Sequence, residues 1–175
     1  MAKTTFTGPV ISINGFQGVG VGMAEALTSG SVTVASHAGK ILKIGSDTDG
    51  KITLPIINDS SAGATDSTGL NSGSNIGAQF FFVVETAATD LDIKTDGTDK
   101  FIGAITVAST NATTAANNVF VPAATNDVIT LNGTTKGGAV GSVIKVTAVD
   151  DNKYFVEGLV TQSTSGANVT PFADA

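Results

Sequence analysis

Gly45, Gly50 and Lys51 in GSDTDGKI (45–52) stand at the spacing of a phosphate-binding loop and directly follow an apolar run. Such a loop presents backbone amides and a lysine to anionic phosphates, and a hydroxyl to magnesium. Here Asp47 and Asp49 would sit among the phosphates and Ile52 replaces the hydroxyl, so the stretch reads as an Asp-Gly turn. NGFQGVGVGMAEAL (14–27) echoes a dinucleotide fingerprint, but its third position falls on Met23 or Glu25, where close helix packing needs Gly or Ala. No βαβ alternation follows it. Asp-x-Asp-Gly at 47–50 offers Asp47 and Asp49 as oxygen ligands for calcium, without the closing Glu of an EF-hand. His37 is the only histidine, cysteine is absent and no Gly-x-Ser-x-Gly elbow occurs, so a nucleophilic triad has no signal. Asp and Glu total 15, and no spacing marks a converging pair. We therefore expect no enzyme activity, no catalytic residues, no cofactor and no metal.

The elements that would have to position these residues are strands. Short β-branched and aromatic runs, bounded by Gly, Asn, Asp and Ser, place strands near 9–13, 31–36, 40–45, 51–57, 78–86, 90–94, 100–108, 118–121, 127–131, 142–149 and 153–161. The pattern predicts an all-β fold, a single β-sandwich or barrel-like domain. Two junctions, GSDTDGK (45–51) and KTDGTDK (94–100), read as Asp-Gly hairpin turns. The segments around them resemble each other, as an old duplication or shared turn chemistry would make them. One helix is expected, at 22–30, where Met23, Ala26 and Leu27 share a face. Residues 1–20 and 164–175 read as extended N- and C-terminal arms flanking a β-domain at 21–163, with a long loop of small polar residues at 58–77. The arms carry isolated large groups, Phe6, Pro9 and Phe16 at one end and Pro171 and Phe172 at the other, and these are the expected interface residues.

The hairpin in GGAVGSVIKVTAVDDNKYFVEGLV (137–160) is the most strongly specified element. A three-residue loop, Asp150-Asp151-Asn152, sets Val149 against Lys153, Ala148 against Tyr154, Val146 against Val156 and Ile144 against Gly158. The opposite face then pairs Thr147 with Phe155, Lys145 with Glu157 and Val143 with Leu159. A one-residue slip would put Val146 against Glu157, so the pattern selects the three-residue or the five-residue loop, which share this register. Asn152 suits the left-handed position that a three-residue loop requires. Ile144, Val146, Tyr154 and Val156 should pack inward.

Composition narrows the partner. Charged residues make up only 14% of the chain, against about 25% in ordinary domains. A surface of Thr, Ser, Asn and Gly can be buried without stranding many charges. A net charge of −6 disfavours nucleic acid, whose binding rests on Lys and Arg neutralising phosphates. MAKTTFTGPV lacks the apolar core of a signal peptide, and the apolar run FFFVV (80–84) is too short to span a bilayer. The expected partner is protein, and neither nucleic acid nor membrane.

FTGPVISINGF (6–16), LNGTTKGGAVGSVIKVTAVDDNKYFVEG (131–158) and TSGANVTPFA (164–173) resemble small structural proteins encoded near the capsid genes of tailed bacteriophages, especially those of aquatic and cyanobacterial hosts. The resemblance is strongest over the first sixteen residues and about 130–173. It implies a virion structural role and, with a single β-domain of this size, a capsid decoration (cement) protein. Such a protein would be made in the host cytoplasm and would bind the outer surface of the major capsid protein shell, commonly as a homotrimer. A tail or head-fibre protein is the alternative within virions. A surface adhesion domain is a further one, since Asn58, Asn111, Asn132 and Asn168 head Asn-x-Ser/Thr triplets.

Overall fold

The computed structural model describes residues 23–45, 49–57, 75–109, 117–163 and 167–175. Among these residues, twelve strands and one helical turn follow in the order β1 (Ala24–Ala26), β2 (Gly30–Ser31), α1 (Val34–His37), β3 (Ile41–Ile44), β4 (Gly50–Thr53), β5 (Gln79–Val84), β6 (Leu91–Lys94), β7 (Lys100–Ser109), β8 (Asn117–Phe120), β9 (Val128–Leu131), β10 (Val143–Asp150), β11 (Lys153–Gln162) and β12 (Phe172–Ala173). They form a seven-stranded sheet, β1-β3-β5-β10-β11-β7-β8, and a five-stranded sheet, β12-β9-β6-β4-β2. The inward residues of both sheets join one apolar cluster, with Leu42, Phe80, Phe82, Ile105, Val146 and Tyr154 from the larger sheet and Ile52, Leu91, Ile93, Ile129 and Leu131 from the smaller. The fold is all-β, in the arrangement of a sandwich.

The first half of the described chain crosses between the sheets at each turn. β1, β3 and β5 pair in parallel in the larger sheet, with Ala24 beside Ile41 and Ile41 beside Phe81. β2, β4 and β6 pair in parallel in the smaller one, with Gly30 beside Ile52 and Ile52 beside Ile93. The result is three stacked strand-turn-strand coils. This corrects the reading of the two Asp-Gly junctions as hairpins: β3 and β4 lie in different sheets, as do β6 and β7. Both junctions have five residues between strands, 45–49 and 95–99, long enough to step from one sheet to the other. Hairpins and crossing turns demand the same residue chemistry, so composition alone did not separate them. Gly45 shows the demand: its φ is +115°, and a Cβ there would overlap the Thr86 carbonyl oxygen of the next coil. Nor are the two similar segments equivalent, since one runs from the larger sheet to the smaller and the other returns.

The helix expected at 22–30 is also corrected. Residues 24–26 are strand β1, and the one helical turn among the described residues falls at Val34–His37, overlapping the end of the strand expected at 31–36. Two turns of helix are too short to sustain themselves, whereas β1 completes a ladder against β3. The His37 side chain folds back to accept the Thr33 amide at Nδ1 (2.9 Å), which closes the turn that a β-branched run would otherwise have extended.

The 143–162 hairpin lies at the centre of the larger sheet, with β10 against β5 and β11 parallel to β7 over ten residue pairs. Its register is the expected one from Val143–Leu159 to Ala148–Tyr154. Nearer the turn it departs: Lys153 pairs with Asp150, and Val149 is extruded as a bulge. Asn152 is the only non-glycine residue with positive φ among those described, at 60°. Ile144, Val146, Tyr154 and Val156 are buried, and Lys145 reaches Glu157 at 3.2 Å on the opposite face.

Candidate interaction surface

The two outer faces of the sandwich differ in chemistry. On the smaller sheet the outward positions are Lys51 and Thr53 of β4, Asp92 and Lys94 of β6 and Thr130 of β9. That face is polar. On the larger sheet they are Ile41 and Lys43 of β3, Gln79, Phe81 and Val83 of β5, Val143, Lys145 and Thr147 of β10, Phe155, Glu157 and Leu159 of β11, and Ile102, Ala104 and Thr106 of β7. Strand register aligns them in rows: Ile41-Phe81-Lys145-Glu157-Ala104, Lys43-Val83-Val143-Leu159-Thr106, and Gln79-Thr147-Phe155-Ile102. Ile41, Phe81, Ile102, Phe155 and Leu159 are 36 to 49% exposed, so five large apolar groups share one flat face with water. Contiguous exposure of this kind marks an interaction surface more than a scatter of single residues does.

The charges on this face cancel. Lys145 meets Glu157, and Lys43 donates to Glu85 at 2.9 Å. Both pairs are open to water and contribute about 0 to 1 kcal/mol each, so they do not hold the sheet together.

Of the expected interface residues, Phe6, Pro9 and Phe16 lie outside the described residues, as do the strand at 9–13, the N-terminal arm and most of the 58–77 loop. Pro171 and Phe172 are buried within their own chain. Phe172 belongs to the central cluster with its ring 6.5 Å from that of Phe101, and β12 pairs with β9. The segment past Ala167 is a docked strand, fastened by the Ala175 amide to Asp127 Oδ1 (2.9 Å) and by Asn126 and Thr125 to Asp174.

The residues with chemical potential are taken up locally. The Gly50 amide donates to Asp90 O and the Lys51 amide to Ser29 Oγ, which removes two of the amides a phosphate would need. Asp47 lies outside the described residues, and Asp49 pairs with Lys51 at 3.3 Å. Among the described residues no group of three or more His, Asp or Glu side chains gathers as a metal site. Glu25, 3.8 Å from His37 and 3.0 Å from Lys40, is held below the usual carboxylate range by its hydrogen bond from Lys40. The Asn168 amide donates to Val107 O and to Asn118 Oδ1, so a glycan there would break two bonds.

One buried polar node went unnoticed in the sequence. Asp99 is buried and accepts the Ile57 amide at Oδ2 (2.8 Å), while Tyr154 donates its hydroxyl to Pro55 O. Together they strap residues 54–57 across the end of the sandwich. Asp99 Oδ1 has no hydrogen-bond partner among the described residues. Burial pushes the Asp99 carboxyl above its usual range, opposed by the Ile57 amide and reinforced by Asp96 and Asp151. Burial likewise raises the Tyr154 phenol, with Asp99 and Asp96 adding to it.

No helix among the described residues is long and apolar enough to cross a membrane. No protein family, curated protein or solved structure matches the chain.

Proposed function

We propose that this protein is a virion structural protein, a decoration (cement) protein that binds the outer surface of the major capsid protein shell of a tailed bacteriophage and stabilises the mature head. The observation that carries a contact function is the broad outer face of the larger sheet, where Phe81, Phe155, Ile102, Leu159 and Ile41 stand together around balanced charges. A flat apolar face of that kind suits another protein surface rather than a small ligand, which binds in a concave site. The resemblance of 6–16, 131–158 and 164–173 supplies the virion setting. Cement action then needs no chemistry: a protein that binds only the expanded shell stabilises that state by mass action, and many copies on a closed lattice multiply weak contacts.

A tail or head-fibre role is the second reading. It is favoured by the three stacked coils of β1–β6, whose parallel pairing is the construction of β-helical fibres. Imaging of virions that carry a labelled copy of the protein separates the two. Density over the head lattice supports decoration, and density confined to the tail or to projecting fibres overturns it in favour of the second reading.

A further inference from the structure

We infer that the outer face of the seven-stranded sheet is an isologous interface with a second copy of this chain, with its twofold axis parallel to the strands and midway between β10 and β11. The same face carries the proposed contact function, so this inference commits it to self-association of the decorating unit and leaves the shell to the unit's other surfaces.

Charge is the first support. The chain has a net charge of −6, yet the charges on this face are paired, Lys43 with Glu85, Lys145 with Glu157 and, at its turn end, Lys153 with Asp150 and Lys100 with Asp127. Two such faces bring no net charge against each other. Moreover, Lys145 and Glu157 are register partners on adjacent strands in the middle of the sheet. A twofold axis between those strands sets Lys145 against the partner's Glu157 and Glu157 against the partner's Lys145, so both signs are answered twice.

Size complementarity is the second. The same axis exchanges β5 with β7 and keeps each row in place. Phe81 then lies over Ala104, Phe155 over Thr147, Leu159 over Val143 and Ile102 over Gln79, with positions taken from the observed register. Facing positions that alternate large with small are what interdigitating layers require, and aligned face-to-face packing is one of the two ways in which sheets meet.

The extent is sufficient. Five strands from β3 to β7 at ~4.8 Å spacing, over about eight residues of ~3.3 Å rise, cover roughly 600 Å² in plane. Side-chain relief and the flanking β1 and β8 bring the face near the ~800 Å² per partner of a specific interface.

The test is sedimentation of the purified full chain with Lys145→Glu and Glu157→Lys variants, each checked for native circular dichroism. Wild type should sediment as a dimer. Each variant alone faces like charges across the axis and should dissociate with a Kd raised about a hundredfold, the scale of like-charge contacts in an interface. An equimolar mixture of the two should form heterodimers, because the glutamate introduced in one copy then meets the lysine introduced in the other. The within-chain pair stays like-charged in the mixture, so only the intermolecular contact can restore association. Phe155→Asp should be monomeric. A monomeric wild type, a three-copy mass, variants that dimerise like wild type, or a mixture that stays monomeric would each overturn the inference.

Discussion

Replacing Phe172 by Ala should destabilise the folded monomer by about 3 kcal/mol. The side chain is buried, belongs to the central cluster and tilts against Phe101 at 6.5 Å between ring centres. A fully buried Phe truncated to Ala costs roughly 3 to 5 kcal/mol, the transfer of the ring plus the cavity it leaves. The lower end applies because β12 has only two residues and can undock instead of preserving a void. Undocking is itself costly: it abandons the Thr130 amide bond to Pro171 O, the Asp127 amide bond to Ala173 O and the Ala175 bond to Asp127. With total stabilities of about 5 to 15 kcal/mol, the loss is a large fraction. For an m value of about 2 kcal/mol/M, the urea midpoint should fall by roughly 1.5 M, whereas Phe172→Leu, a smaller change of shape, should lower it by about 0.5 M. A shift below about 0.25 M for Phe172→Ala, with assembly lost instead, would refute the docked strand and restore the extended interface arm expected from sequence.

Val146→Ala should lower stability by about 1 to 3 kcal/mol through lost burial and a cavity, while Lys145→Ala should change monomer stability by under about 0.5 kcal/mol; urea titration of both checks the contrast. Gly103→Ala should cost about 3 to 4 kcal/mol, because its φ is +108° and a Cβ would overlap Val156 O. Gly97→Ala, at φ +95° with open space around it, should cost only about 1 to 2 kcal/mol, and equal losses would disprove the close approach of β7 to β11. Asp99→Asn should change the pH dependence of stability. Because the folded Asp99 carboxyl sits above its unfolded value, wild type holds the extra proton as pH rises through that window, and its stability falls there until the folded pKa is passed. Thermal midpoints from about pH 3.5 upward should show this decline in wild type relative to Asp99→Asn, and parallel profiles would contradict it.

The strands that the sequence placed well are those with clear alternation and bounded ends. β5 to β7, β10 and β11 lie within two residues of expectation, and the 143–158 register follows from a pattern that a slip would invert. β1 and β12 were missed because each is only two or three residues long and owes its form to a neighbouring strand, which no local window shows. The sheet to which a strand belongs was equally hidden, since Gly45 and Gly97 serve a crossing turn as readily as a hairpin. The interaction face did leave a trace. Phe80, Phe81 and Phe82 are successive, so one of every two must face outward in a strand, and only Phe81 does. Asp99 left none: its burial depends on Ile57, 42 residues away.

The central claim is that this chain reinforces a shell by contact alone. Its most direct measurement is the heat or low-salt disruption of phage heads prepared with and without the protein and re-supplemented with purified chain. Heads that carry it should survive to higher temperature and lower salt, with protection restored by re-addition in proportion to occupancy. Equal stability of bare and supplemented heads, at full binding or at none, would contradict the account.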